Sequence, residues 1–167
     1  MHGSLIILSE NETLKDRNET VRSCLFNSEE FFFRDFDYVE AFDSTKEKKK
    51  AIDTFLEEAK RYATVDGNRM TFTLQSVADS LFSNPGFPET KDDTFATFCE
   101  YKKWMATRNV FVSPVVIIAD NGTLYPGYTL LDVLLDYYAH DSLKEEKLPE
   151  EDRTFTFYVV DAFDFHF

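Results

Sequence analysis

Hydrophobic and polar positions along the chain divide it into a few elements. Ser4 to Leu8 reads as a short buried strand. Thr13 followed by Asp16 forms a weak capping box, which predicts a helix to about Leu25 with Leu14, Val21, Cys24 and Leu25 facing inward. Glu30 to Val39 is rich in aromatics and reads as a strand, although Glu29, Glu30 and Arg34 can also pair at helical spacing. Ser44-x-x-Glu47 is a second capping box. Behind it Ala51, Ile52, Phe55, Leu56, Ala59 and Tyr62 form one apolar stripe, predicting a helix that Asp66-Gly67 ends. Leu74, Val77, Ala78, Leu81 and Phe82 make a shorter stripe, and Phe95, Phe98, Cys99, Lys102 and Met105 a third helical face. Asn84-Pro85-Gly86 and Pro88 break the chain between them.

The stretch from Asn109 to Tyr138 organises the rest. Val110 to Ala119 is β-branched and continuously apolar, as expected of a strand buried on both faces. Pro114 lies near its start. Proline donates no ladder hydrogen bond, so it belongs at a strand's first residues, on an edge, or in a cis peptide. Asp120-Asn121-Gly122 supplies a hairpin turn, Thr123 to Tyr125 returns as a strand, and Pro126-Gly127 ends it. Thr129 then caps a helix carrying Leu130, Leu131, Val133, Leu134, Leu135, Tyr137 and Tyr138. Asp141 to Arg153 reads as an acidic connector. Beyond it Phe155, Phe157 and Val159 alternate with Thr154, Thr156 and Tyr158 in a half-buried strand that adds to the sheet edge or pairs with a second subunit. Asp161 and Asp164 read there as surface charges that guard against aggregation.

Strand, hairpin, strand and helix, with Val112, Ser113 and Pro114 opening the first strand, resemble the C-terminal half of a thioredoxin fold. In that fold a cis proline stands at this place. Ser4 to Phe36 then corresponds to the first strand, helix and strand, and the helical block from 44 to 108 to the insertion of the DsbA-like branch. The expected fold is therefore α/β: one domain over 1–167 with a thioredoxin-like central sheet flanked by helices, a helical insertion at 44–108 and a C-terminal strand extension at 154–167. The resemblance implies a redox centre near Ser9, Glu10, Asn11 and Glu12, where no cysteine stands. That departure removes the family's disulfide chemistry.

Composition narrows the functions further. The chain has 167 residues, 18 phenylalanines and a net charge of -13. Such a charge repels phosphate, which disfavours nucleic acid and anionic membranes and favours a basic or neutral protein or peptide as partner. No run is long and apolar enough to span a bilayer, so the sequence reads as soluble and cytoplasmic as written. Asn-x-Thr sequons at Asn11, Asn18 and Asn121 instead fit a secretory protein whose leader has been removed. Cys24 and Cys99 form no Cys-x-x-Cys pair and read as buried thiols. Lys46 to Lys50 reads as a solvated helical face.

No histidine cluster with metal spacing, phosphate loop or nucleophile elbow occurs in the sequence, so no metal is expected. Two readings from different classes follow. In the first, the protein is a redox-inactive, thioredoxin-like binding or structural module. It needs no cofactor and pairs an extended peptide with the groove at Val112, Ser113, Pro114 and Val115. In the second, resemblance to kappa-class glutathione transferases makes Ser9 a hydrogen-bond donor to a bound glutathione thiolate, although Glu10 and Glu12 flank that place. A weaker third reading is thiol oxidoreduction by Cys24 and Cys99.

Overall fold

The computed structural model describes residues 2–16, 38–73, 76, 115–127, 130, 133–134 and 154–166. They form a mixed α/β arrangement in which one seven-stranded sheet is packed against a helix. The strands are β1 (His2–Ser9), β2 (Tyr38–Glu40), β3 (Thr64–Asp66), β4 (Arg69–Thr73), β5 (Val115–Ile118), β6 (Leu124–Gly127) and β7 (Thr154–His166). The helix, α1, spans Thr45–Ala59. A 3-10 turn at Glu12–Asp16 follows β1.

The sheet order is β3-β4-β7-β1-β5-β6. β1 and β5 run parallel, and the other pairs are antiparallel. Leu5, Ile6, Ile7 and Leu8, like Val115 to Ile118, are buried throughout. Strand alternation explains why such a run is needed. Ile6, Leu8, Val115 and Ile117 pack into a core shared with Phe55, Leu56 and Ala59 of α1, whereas Leu5, Ile7, Val116 and Ile118 pack on the other face with Val160 and Phe163.

β7 corrects the expected placement of the C-terminal strand. It occupies the middle of the sheet, with β1 along one flank and β4 and β2 end to end along the other. Thr154 to Tyr158 pair with β4, and Asp164 to His166 with β2. Asn68, in the turn before β4, adds hydrogen bonds in both directions to Val159. Residues 160–163 have no ladder partner on this flank among the described strands. Opposite them, Ile7 pairs with Asp161 and Leu8 with Val159, so Val160 is the extra residue of a β-bulge. β2 lies across β7 from β1; the strand expected at Glu30 to Val39 falls on described residues only at Tyr38 and Val39.

The second correction concerns 44–108. α1 starts as expected, with the Glu47 amide donating to the Ser44 hydroxyl at 3.2 Å and that hydroxyl donating to the Glu47 carboxylate. It stops at Ala59, well before Gly67. Residues 64–73 form a hairpin instead, with Asp66 opposite Arg69 across a two-residue Gly67-Asn68 loop. Gly67 has φ +60°, which suits such a turn. β-branched Thr64 and Val65, followed by alternating Met70 and Phe72, favour the sheet over another helical turn. Tyr62 still reaches the core, meeting Phe72 edge to face with ring centroids 6.2 Å apart. The 74–108 stripes lie outside the described residues, apart from Ser76, which exchanges hydrogen bonds with Thr73.

The β5–β6 hairpin forms as read. Ala119 donates to Thr123 and Gly122 to Ala119, closing a turn in which Gly122 adopts φ +82°. Pro126 is tolerated because β6 lies at the edge of the sheet among the described strands. Leu130, Val133 and Leu134 are helical and buried, at the spacing expected of the following helix.

Candidate functional site

The groove predicted at Val112, Ser113, Pro114 and Val115 is described only at its last residue. Val115 is buried and pairs with Ile6 on one side and Gly127 on the other, so its backbone edges are occupied within the sheet. Any peptide pairing here would have to use residues before it. Val112, Ser113 and Pro114 lie outside the described residues, as do Cys24, Cys99 and Asn18.

Ser9 ends β1 beside Ile118, three positions along the parallel register from the Ile6–Val115 pair, or about 10 Å at strand rise. Its side chain is buried, and its hydroxyl accepts the Asn11 amide at 2.9 Å. This local bond turns the chain out of the sheet into the 3-10 turn. The adjacent Glu10 carboxylate accepts the Asp120 amide at 3.0 Å, fastening the end of β1 to the tip of the β5–β6 hairpin.

A cleft of about 470 Å³ opens at the other end of β1, between that strand, α1 and β7. β1 supplies Ser4 and Ile6, the segment before α1 supplies Phe42 and Asp43, and β7 supplies Asp164. Helical periodicity brings Glu47, Lys50, Ala51, Thr54, Phe55 and Glu58 of α1 to its wall. Ile6 and Phe55 are buried, and Phe42 and Ala51 are half-buried, which gives an apolar floor. Among the described residues, the rim carries four carboxylates, on Asp43, Glu47, Glu58 and Asp164, against the one ammonium of Lys50. Asp43, Glu47 and Glu58 are exposed, so they keep their hydration while adding to a local negative field.

The wall is fixed from behind. Lys48 of α1 makes an ion pair with Asp161, whose side chain is only 3% exposed. Asp161 also accepts the Ala162 amide at 2.8 Å. The lysine-rich first turn of α1 is therefore only partly a solvated face, and Asp161 is an internal ion-pair partner where a surface charge was expected. Near the far end of α1, burial of Tyr62 and the charge of Glu58 raise the phenol's pKa above its ordinary value.

Sequence reasoning missed the cleft because its residues come from three distant segments. The legible part was the apolar stripe of α1 through Ala51 and Phe55, which marks a face without naming what stands opposite. Among the described residues no group of three or more His, Cys, Asp or Glu side chains is placed to hold a metal ion. No described helix is long and apolar enough to cross a membrane. Compared with protein-family models, curated proteins and solved structures, the chain shows no significant match.

Proposed function

We propose that the protein is a binding module that takes basic, partly apolar segments of a partner protein into the cleft between α1, β1 and β7. The observation that carries this reading is the pairing of an apolar floor at Ile6, Phe42, Ala51 and Phe55 with a rim of carboxylates. Lysine and arginine side chains match both parts. Their methylene stems lie on apolar surface while their charged heads stay at the wet rim among carboxylates. The net charge of -13 draws such segments in from a distance and speeds their encounter. No step of this reading requires bond chemistry.

A thioredoxin-like ancestry is a separate part of the proposal. The β5–β6 hairpin and the helical residues after it support it, and the geometry of the Ser113-Pro114 peptide tests it. Burial of the Ser9 side chain weighs against the glutathione reading.

The test is titration of labelled peptides, one set rich in Lys and Arg with interspersed Leu or Phe and one with the basic residues replaced by Glu. Basic peptides should bind, with affinity falling as salt rises. The Asp43→Lys/Glu58→Lys double variant should weaken binding at least tenfold, and Ala51→Trp should block it by filling the floor. Equal binding of both peptide sets, or indifference to both variants at unchanged melting temperature, would overturn the reading.

A further inference from the structure

The sequons are a motif that the cleft does not absorb. Two of the three fall on described residues, at the end of the sheet away from the cleft. Asn11 follows β1, and Asn121 stands at the tip of the β5–β6 hairpin; both are exposed. The Glu10 carboxylate, bonded to the Asp120 amide, holds the two loops side by side. In each sequon the asparagine Oδ1 accepts the amide two residues on at 2.9 Å, from Thr13 and from Thr123. Thr13 adds its hydroxyl to the Asn11 Oδ1 at 2.7 Å. These turns occupy the carboxamide oxygen and leave the nitrogen without a hydrogen bond to any described residue.

Because each opens an Asn-x-Thr tripeptide on an exposed loop, we infer that Asn11 and Asn121 are both acceptors for N-linked glycan. The donor is a lipid-diphosphate-linked oligosaccharide. The Asn Nδ2 attacks the anomeric carbon, forming a C–N bond as the C–O bond to the diphosphate breaks. The amide proton passes to a transferase base, and the lipid diphosphate leaves. Both glycans would project from exposed loops without displacing a buried group. Ser4 borders the cleft and Ser9 ends the same strand, a separation of about 17 Å along β1. The cleft would stay open in the glycosylated protein. This inference is independent of what the cleft binds.

The test uses the full-length protein isolated from the cells that naturally make it. Peptide-N-glycosidase treatment in heavy-oxygen water should convert Asn11 and Asn121 to labelled aspartate, read by peptide mass spectrometry. Asn11→Gln and Asn121→Gln, made in the same cells, should each lose one glycan's worth of mass. An unmodified asparagine at either position overturns the assignment of that site, and a glycan confined to Asn18 overturns the proposal as a whole.

Discussion

Lys48 reaches from the first turn of α1 to Asp161, a carboxylate set at the β-bulge of the central strand. The two partners differ in their access to water. The Lys48 side chain is 33% exposed, while that of Asp161 is 3% exposed. Breaking the pair therefore has unequal consequences depending on which side is removed. Lys48→Ala strands a buried carboxylate whose remaining donor among the described residues is the Ala162 amide, and should cost about 3 kcal/mol. Asp161→Asn keeps that acceptor and lets the ammonium turn to solvent, and should cost about 1 kcal/mol. Urea unfolding of both variants checks the order, and equal losses would refute the asymmetry.

Tyr62 should make the protein sensitive to alkali. Its folded-state pKa is raised by burial and by Glu58, so the folded protein holds a proton that the unfolded chain releases near pH 10. The stabilisation is complete below about pH 10 and is lost as pH rises above it. In a native absorbance titration Tyr62 should ionise late, and Tyr62→Phe should remove that late step. The variant's stability should also fall less steeply with alkali.

Gly122 has φ +82°, with no atom within 4 Å of where a Cβ would stand. Steric crowding therefore adds nothing, and only the backbone conformation resists a side chain. Gly122→Ala should cost about 1 kcal/mol, and Gly122→Asn less, since asparagine tolerates this region better. Thermal melts of the two variants give the comparison.

Phe157 is 1% exposed and stacks on Phe72 with ring centroids 5.9 Å apart. Phe157→Ala should cost about 4 kcal/mol from lost burial and the cavity left behind. Phe157→Leu should recover more than half of that, as read from denaturant midpoints.

Much of the sheet was legible because its strands carry strong local signals. Leu5 to Leu8 and Val115 to Ile118 announce strands buried on both faces, and Asp120-Asn121-Gly122 announces the turn between β5 and β6. The order of strands was not legible, since nothing local to Thr154 to His166 distinguishes a central strand from an edge strand. One clue was the adjacent Val159-Val160, which breaks the two-residue period where the bulge lies. The hairpin at 64–73 was hidden because the apolar stripe of α1 continues in phase as far as Tyr62. The cleft was harder still. Phe42, Phe55 and Asp164 become neighbours only through the pairing of β2 and β1 with β7.

The position of β7 also has a consequence for synthesis. Six strands of this sheet leave the ribosome before the strand that joins β1 to β4 and β2. Until Thr154 to His166 emerge, β1, β4 and β2 are without the neighbour that they share, and their open edges are exposed to other nascent chains. Assembly of the sheet must therefore wait for this late segment, and closing such distant contacts makes folding slow. A chain halted before Thr154 would be expected to require a chaperone, whereas completion of β7 would release it.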